Sequence, residues 1–515
     1  MIGSVVLLAL SVPQLVEDVG ARTQRVAAST NAVVESLGTS AERRPIHVLR
    51  YGVAPATRPA AKALLVVAGI DGRALFSTDA ALALCERVGA KAADALNAST
   101  LYVVPCLNPD ARARVLVGGP MTDFGGAPAA FDDDHDGRVD EDGPRDVNGD
   151  GRIGWMRVFD PPRDLPRTHV PGKDDPRTHR EADRTKGEVA RFALVIEGMD
   201  GDRDGRFAED GIDGVDLDRN FPHLWKEHVR ASGAYPLSAP ETQALVRWML
   251  AHEEIAGVFV FGTGDTLVNV PEAGRTDATK QAPLGIESDD KAWHDAIAEK
   301  FKELTGQKKA PKKDLAGSFV AWAYAQYGVP AFETPIFVAP PEPKGAKAEG
   351  EGGKEGDGAT KEGGNKDGAD GAAAKGATEA GSGDGPGAGP GGGPGRGPGR
   401  RGGRGPGGGP GAGGGDAGKP AESEADEKAW IDYATTRNAF TPWTEFTHPQ
   451  LGRVEIGGFA PGARWIPPDA DRDALIDGQV AFVADLLTKL PRLDVSAPQV
   501  ERVDASVWRV TAKVT

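Results

Sequence analysis

Three acidic segments of the chain have the residue types and spacing of a calcium-binding loop. Each places carboxylate or amide oxygens at alternate positions before a glycine. The candidate ligands are Asp132, Asp134 and Asp136 with Asp140 nearby, then Asp146, Asn148 and Asp150, and then Asp200, Asp202 and Asp204. Oxygens in this pattern converge on one hard cation, and the glycine allows the sharp turn that brings them together. The glutamate that usually closes such a loop is absent, because Gly143, Arg157 and Gly211 stand in its place. We expect calcium in a structural role; the alternative is three solvated acidic turns.

The histidines, by contrast, are not spaced for a zinc site. None of the nine is followed three residues later by glutamate, and no His-Glu-x-x-His segment occurs. A catalytic zinc ion takes three protein ligands besides water. The chain also lacks the Gly-x-Ser-x-Gly, Gly-Lys-Ser/Thr and Cys-x-x-Cys patterns of other common mechanisms. Its two cysteines, Cys85 and Cys106, exclude a disulfide-rich scaffold and leave one bridge open.

The elements that must position these residues alternate between strands and helices. Apolar or alternating runs predict strands at 46–51, 63–68, 101–105, 255–261 and 331–333, and helical spacing predicts helices at 78–96, 241–252 and 319–327. This alternation indicates an α/β fold with a mixed, mostly parallel sheet and helices on both faces. Ligands of such sheets bind at the carboxyl ends of the strands. Those ends are 69–71, 108–110 and 262–265.

Composition divides the 515-residue chain into folded and low-complexity parts. Of its 70 glycines, 33 lie between Lys344 and Pro420. Residues 340–426 therefore have almost no apolar surface with which to offset the entropy of ordering, and we predict a disordered insertion. It separates a folded segment at 25–339, with acidic insertions at 131–160 and 197–213, from a second folded segment at 427–490. Residues 491–515 alternate like strands, and we expect the start of a β-sandwich that the chain end truncates.

The N-terminus and the net charge bear on location and partners. Residues 5–10 form an apolar run that is too short to span a bilayer, which needs about 20 apolar residues. We predict a secretory signal within residues 1–20 and a secreted or periplasmic protein; the alternative is a buried strand or helix start. No other stretch is a candidate membrane span. A net charge of −16 argues against general nucleic-acid binding, which needs basic surface.

Several motifs occur along the chain in the order of a known family. Residues 214–222 read Gly-Val-Asp-Leu-Asp-Arg-Asn-Phe-Pro, residues 235–242 read Tyr-Pro-Leu-Ser-Ala-Pro-Glu-Thr, and residues 108–110 read Asn-Pro-Asp. Further similar segments lie at 38–46 and 448–458. The chain resembles the zinc carboxypeptidase family, the carboxypeptidase A-like metallopeptidases, over residues 25–340 and 427–490. The resemblance implies a carboxypeptidase-like fold, a zinc cofactor and hydrolysis of C-terminal peptide bonds.

The resemblance also implies where the zinc ligands belong, and the sequence differs there. The family's His-x-x-Glu falls on Asp71 and Ala74, and its later histidine falls on Gly262. The catalytic glutamate falls on Pro335. Zinc, expected for the family, thus loses its ligands, and we predict a catalytically inactive protein. An alternative is a remapped site in which Asp71, Asp265 and Glu333 hold a hard cation.

The substrate-binding positions implied by the resemblance are partly kept. Arg219 stands where the family binds the terminal carboxylate of a peptide, which a guanidinium can grip with two hydrogen bonds. Asp218 replaces the paired asparagine, and Arg73 keeps its place between the lost ligands. Arg157 matches the arginine that stabilises the oxyanion, and lysines 312 and 313 replace a loop tyrosine. The alternative role for Arg73, Arg219 and Asp216 is structural, in ion pairs that hold the cleft loops.

Three functions follow from these observations. The first is an exported, inactive family member that binds a peptide or protein C-terminus. The second is an active metallocarboxypeptidase with a remapped metal site. The third is a calcium-stabilised structural or adhesive protein. Metal content and binding of a free C-terminus distinguish the three.

Overall fold

A computed structural model describes most of the chain outside the glycine-rich insertion. The described residues are 18–54, 61–116, 126–128, 143–201, 203, 205–208, 214–338, 424–460, 462–491 and 496–513. The apolar run at 5–10, residues 340–423 of the insertion, and six calcium candidates lie outside them; these six are Asp132, Asp134, Asp136, Asp140, Asp202 and Asp204.

Helices and short helical turns are interspersed with strands along this part of the chain. The α-helices are α1 (Val19–Thr30), α2 (Leu75–Lys91), α3 (Ala93–Leu96), α4 (Pro109–Leu116), α5 (Pro240–Leu250), α6 (Lys291–Thr305), α7 (Phe319–Trp322), α8 (Glu424–Thr435) and α9 (Asp469–Thr488). Short 3₁₀ turns lie at Arg184–Lys186, Leu217–Arg219, Arg230–Ser232 and Ala463–Trp465, and a π-helical turn lies at Ala323–Tyr327.

The strands form one large sheet and several smaller ones. They are β1 (Val33–Thr39), β2 (Pro45–Gly52), β3 (Ala63–Ala68), β4 (Thr100–Val104), β5 (Ala127–Pro128), β6 (Trp155–Val158), β7 (His169–Pro171), β8 (His179–Glu181), β9 (Ala193–Ile196), β10 (Gly214–Val215), β11 (Ile255–Phe261), β12 (Ala331–Thr334), β13 (Phe440–His448), β14 (Gly452–Phe459), β15 (Gln499–Arg502) and β16 (Trp508–Thr511).

The large sheet has six strands in the order β1-β2-β4-β3-β11-β12. The four strands from β4 to β12 are parallel, and β1 and β2 add antiparallel pairs at one edge. Every residue of β3 is buried, as expected for a strand whose two faces are both covered by helices. The predicted α/β fold with a mixed, mostly parallel sheet is confirmed.

Alternate residues of the central strands pack into two separate cores. Leu64 and Val66 of β3 join Phe259 of β11 in a core with residues of α1, α2, α6 and α9. Leu65 and Val67 point the other way, into a core with residues of α5 and α7. Because successive side chains of a strand point to opposite faces, this division places helices on both faces of the sheet, as predicted.

A second, antiparallel sheet was not predicted from the sequence. Its order is β13-β14-β6-β9, and its core contains Met156, Val158 and Val454. Strand β6 lies inside the segment interpreted as an acidic loop insertion, and β14 follows the glycine-rich segment. The pairing of Val454 with Val158 joins them. Because β6 has four residues, too few for a clear alternating pattern, only its partner strand reveals it.

Some predicted elements differ at their ends. The helix expected at 78–96 begins earlier, at Leu75, and breaks at Ala92 into α2 and α3. The helix expected at 319–327 is α7 continued by the π-helical turn, which Gly328 closes with a positive φ of 86°. In the C-terminal segment β15 and β16 form an exposed hairpin.

Two further points concern cysteine pairing and membranes. Cys85 and Cys106 are both free and buried, so the disulfide that the sequence left open is not formed. Within the described ranges, no helix has the length and apolar character needed to cross a bilayer.

Candidate functional site at the strand ends

The candidate site lies where β3, β11 and β12 end beside one another. Phe261 pairs with Ala68 on one side and with Thr334 on the other, so the segments that follow these strands meet at one edge of the sheet. A turn at Leu217–Arg219, capped by the side chain of Asp216, adds a fourth segment. Its Leu217 is buried in the core that contains α7. The fold thus gathers the residues singled out in the sequence at the edge where α/β sheets bind ligands.

Lys313 is the central cation of this edge. Its ammonium contacts the Asp218 carboxylate and lies 2.8 Å from both oxygens of Glu333. The side chains are 8% exposed for Lys313, 13% for Asp218 and 0% for Glu333. The backbone N–H of Phe319 donates to Asp218 Oδ1 at 2.9 Å, and that of Gly264 donates to Glu333 Oε1 at 2.9 Å. One buried ammonium is therefore held between two carboxylates that the backbone also orients.

Two glycines of the loop after β11 make room for these side chains. A β-carbon at position 262 would lie only 2.6 Å from Cδ of Glu333. A β-carbon at position 264 would lie 3.1 Å from the Cα and 3.2 Å from the Cβ of Lys313. The carboxyl group of Glu333 thus occupies the space into which a side chain at 262 would project. No imidazole fits at this position while Glu333 stays in place.

Burial and charge act against each other on the protonation of this cluster. Burial raises the pKa of Glu333, with the charge of Lys313 opposing the rise and that of Asp218 adding to it. Burial acts to lower the pKa of Lys313, but the charges of Asp218 and Glu333 outweigh it and the pKa is raised. The ammonium therefore stays charged at neutral pH.

Asp216 gives the site a measurable pH dependence. Burial raises its pKa to about 6, the charges of Asp218 and Asp71 add to the rise, and Arg219 opposes it. A carboxyl with a higher pKa in the folded than in the unfolded chain, where it is about 3.9, stabilises the fold at low pH. This contribution is fully present below the unfolded pKa and is lost as the pH rises through about 6.

Replacing Asp216 by asparagine should therefore flatten the pH profile of stability. We expect the melting temperature of Asp216→Asn to fall less than that of the wild type between about pH 4 and pH 7, because the amide does not ionise. Scanning calorimetry of both proteins across this range measures the difference. A variant whose melting temperature falls as steeply as that of the wild type would contradict the prediction.

The two arginines expected to bind substrate lie at this edge, each paired with an aspartate. Arg73 donates from Nε and Nη2 to both oxygens of Asp71, at distances of 2.6 to 3.1 Å. Arg219 donates from Nε to Asp216 at 3.1 Å, and its Nη1 lies 3.8 Å from Asp314. About a third of the Arg219 side chain is exposed. Arg219 is thus partly accessible to solvent.

The family positions 74 and 335 carry no metal-binding side chain. Ala74 is buried at the start of α2, where its carbonyl accepts the Ser77 hydroxyl, and Pro335 directly follows β12. Asp265 is buried and accepts the backbone and side-chain amides of Asn269. Among the described residues, no three His, Cys, Asp or Glu side chains are grouped so that they could hold a metal ion. These residues do not fit the zinc ion that the resemblance implies.

Arg157, named for oxyanion stabilisation, lies in β6 of the second sheet. Its guanidinium donates to the carbonyls of Pro176 and Arg177, both at 2.9 Å. The same group lies 3.9 Å from the ring centre of Trp443 and 5.2 Å from that of Phe192. Burial lowers its pKa to about 10. Its contacts are thus with the loop at 176–177 and with aromatic rings beside the second sheet, and its role at an oxyanion stays a prediction.

The described acidic loops have the turn that their sequences predict. Asp146 accepts the backbone N–H groups of Gly149, Asp150 and Gly151, at 2.7 to 3.2 Å. Asp200 likewise accepts those of Arg203 and Gly205. The glycines at the sixth position, Gly151 and Gly205, have φ of 85° and 93°, which favours glycine. Calcium binding stays a prediction.

Asn220 connects the two most specific sequence motifs. It is buried, and its side-chain amide donates to the carbonyls of Ser232 and Tyr235 and to the Ser238 hydroxyl. Its Oδ1 accepts the Ala239 amide and the Thr242 hydroxyl. The motif at 214–222 is thereby tied to the motif at 235–242. This tie supports the turn that carries Asp218 and Arg219.

Sequence reasoning placed Lys313 in a loop but gave it no role. The only hint is indirect: glycines 262 and 264 remove the side chains that would block Lys313 and Glu333. Glu333 was named for a cation site, and the structure brings it to the site with an ammonium as its partner. Asp216 was named, with Arg73 and Arg219, for structural ion pairs, and the structure pairs it with Arg219. Its cap of the turn at 217–219 appears only in the fold.

Comparison with known proteins agrees with the motifs. A family model described as zinc carboxypeptidase matches residues 22–116 and 181–344, together half of the chain. No curated protein matches the chain significantly.

Solved structures similar to the chain share little sequence with it. Carboxypeptidase A from Helicoverpa armigera is 15% identical with a TM-score of 0.38, over 62% of this chain and 64% of that one. Bovine thrombin-activatable fibrinolysis inhibitor, solved with a tick carboxypeptidase inhibitor, is 13% identical with a TM-score of 0.35, over 62% and 85%. A metallo-carboxypeptidase from Burkholderia cenocepacia is 15% identical with a TM-score of 0.32, over 61% and 58%. The match thus spans less than two thirds of the Helicoverpa and Burkholderia chains.

The family assignment rests on the family model and not on these structures, whose TM-scores lie below 0.5. The two segments that the model matches contain the strand-end residues Asp71, Arg219, Gly262, Lys313 and Glu333. The chain belongs to the zinc carboxypeptidase family.

Proposed function

We propose that this protein is a non-hydrolytic member of its family that binds the free C-terminus of a peptide or protein in the strand-end cleft, the region beside the ends of β3, β11 and β12. The observation that carries the proposal is the space at position 262, which the carboxyl group of Glu333 fills. A histidine ligand would have to project into this space. The Asp71 carboxylate, at another family ligand position, is engaged by Arg73.

The chemistry of the site supports binding over hydrolysis. Metal-dependent peptide hydrolysis needs a Lewis acid that polarises the carbonyl and lowers the pKa of a bound water to about 7. An ammonium has no vacant orbital for a water or a carbonyl oxygen, so Lys313 offers only charge and hydrogen bonds. The family position of the catalytic glutamate is Pro335, which has no proton-transferring group.

Arg219 is the residue that supports binding of a C-terminus. Because Asp216 engages its Nε and the pair to Asp314 at 3.8 Å is long, the outer guanidinium nitrogens are available to a carboxylate. A guanidinium binds a carboxylate through two parallel hydrogen bonds. Such charge-assisted bonds are stronger than neutral ones, and their loss is measurable.

Arg219→Ala should weaken binding of a peptide with a free C-terminus by roughly ten- to a hundred-fold, the equivalent of losing one charge-assisted interaction. Calorimetric titration with a library of peptides that differ in their C-termini measures this loss of affinity. A matched control is Arg453→Ala, an exposed arginine of the second sheet paired with Glu445, which should leave binding unchanged. Peptides with an amidated C-terminus should bind the wild type as weakly as free-acid peptides bind the variant. Equal affinity for acid and amide would contradict the proposal.

Elemental analysis of the purified protein tests the absence of hydrolysis. We expect no stoichiometric zinc and no release of C-terminal residues from peptide substrates. Stoichiometric zinc together with such release would instead support an active metallocarboxypeptidase with a remapped site. One observation favours that second candidate: Asp265 Oδ1 is buried and accepts no hydrogen bond from the described residues.

Calcium in the acidic loops is compatible with the proposed function and is central to the third candidate, a structural or adhesive protein. The backbone turns of the loops that begin at Asp146 and Asp200 support it. Calcium alone in the elemental analysis, with a calcium-dependent melting temperature, fits either function. Loss of peptide binding in Arg219→Ala then decides for the C-terminus-binding protein. Export through a signal in residues 1–20 stays a prediction.

A further inference from the structure

The aliphatic part of the Lys313 side chain passes Gly264, in the loop after β11, to reach Asp218 and Glu333. Gly264 lacks the β-carbon that would press on the Cα and Cβ of Lys313. The ammonium then lies between Asp218 and Glu333, which are 95 and 20 residues away in sequence. Lys312, its neighbour, is exposed. Only the second of the two adjacent lysines is thus directed into the protein.

The two carboxylates around this ammonium are held in place independently of it. Asp218 also accepts the Phe319 N–H and Glu333 also accepts the Gly264 N–H. Their oxygens would therefore keep their orientation if the ammonium were absent. Oriented carboxylate oxygens with no cation between them are the ligands that a hard divalent ion prefers.

We propose that Lys313 is the resident cation of the cleft, a charge built into the chain that takes the neutralising role of a bound metal and keeps divalent cations off Asp218 and Glu333. The proposal deepens the proposed function, because it states what occupies the cleft of a family member without zinc. It differs from an ordinary surface ion pair because Glu333 is completely buried and Lys313 nearly so. Leaving a buried charge without its partner is strongly destabilising.

The test is the binding of Mn²⁺ to Lys313→Met, a side chain of similar length without charge. We expect this variant to bind one more equivalent of Mn²⁺ than the wild type, with a Kd on the order of 10⁻⁴ M, as for weak oxygen-ligand sites. Electron paramagnetic resonance of free Mn²⁺ counts the equivalents. Counting the difference between proteins removes any contribution from the acidic loops, which are the same in both.

Two further variants identify the site of the additional ion. Lys312→Met removes the neighbouring exposed charge and should bind as many equivalents as the wild type. Lys313→Met combined with Glu333→Gln should lose the additional equivalent, since the amide is a poorer ligand than the carboxylate. An extra equivalent that persists in the double variant, or no extra equivalent in folded Lys313→Met, would overturn the inference.

If Lys313→Met does not fold, the wild-type protein itself provides the test. Limited acetylation followed by mass spectrometry ranks the reactivity of the lysines. Lys313 should react roughly tenfold or more slowly than Lys312, because a buried, paired ammonium rarely exposes a free amine. Similar rates for the two lysines would overturn the inference.

The two proposals can fail separately. Zinc bound in the wild-type cleft would overturn both. If only the Mn²⁺ experiments contradict the role of Lys313, the proposed binding of a C-terminus through Arg219 is unaffected, because the peptide titration does not involve Mn²⁺.

Discussion

Asn220→Ala should lower the free energy of unfolding by about 3–5 kcal/mol, because it removes one partner from each of five hydrogen bonds in a buried site. A buried polar group that loses its partner costs about 1–3 kcal/mol, and water entering the space left by the side chain would recover part of it. The carbonyl of Ser232 and the amide of Ala239 are among the groups left behind. Urea denaturation followed by circular dichroism measures the change.

A neighbouring glutamine provides the control for Asn220→Ala. Gln243 lies in α5 beside Thr242, is only partly buried, and makes no side-chain hydrogen bond with the described residues. Gln243→Ala should change the free energy of unfolding by less than about 0.5 kcal/mol. If Asn220→Ala cost no more than this control, the hydrogen bonds of Asn220 would not be what holds the two motifs together. The turn at 217–219 would then depend on other contacts.

Phe482→Ala should also lower the free energy of unfolding by about 3–5 kcal/mol, the range for removing a buried phenylalanine. The ring of Phe482 in α9 is completely buried and lies edge-on to Phe259 of β11 at 5.1 Å and to Phe301 of α6 at 5.0 Å. Such aromatic pairs add to the free energy of burial. Guanidinium denaturation, with the slope checked for a two-state transition, measures the loss.

The outcome for Phe482 decides whether the chain after the glycine-rich segment is part of the main fold. Leu250→Ala, at the end of α5 and 62% exposed, is the control and should change stability by less than about 0.5 kcal/mol. A separate transition for the C-terminal segment, with the rest of the protein unaffected by Phe482→Ala, would show that α9 folds on its own. The packing of α9 against β11 and α6 predicts a single transition instead.

The central sheet and its cleft edge were predictable because their signals are local. Residues 63–68 and 255–261 are uninterrupted apolar runs, and both become strands with the predicted bounds. The motifs at 214–222 and 235–242 are also contiguous, and they place Arg219 and Asp216 at the cleft edge. The sequence alone likewise shows that position 262 is a glycine and therefore has no metal-binding side chain.

The second sheet and the ion cluster were not predictable, because their partners are distant in sequence. Val158 pairs with Val454 across the whole glycine-rich segment. The role of Lys313 depends on Asp218 and Glu333, which come from a turn and from a strand on either side of it. The sequence around Asp218 or Glu333 has no pattern that identifies Lys313 as the partner.

By itself, the sequence determined the α/β class and the family, because buried runs and contiguous motifs record both locally, and it predicted the positions where zinc ligands are missing. Only the tertiary structure decided what fills the cleft. Burial converts an ordinary lysine and two ordinary carboxylates into a charge cluster, and burial depends on how all the elements pack together rather than on any one segment.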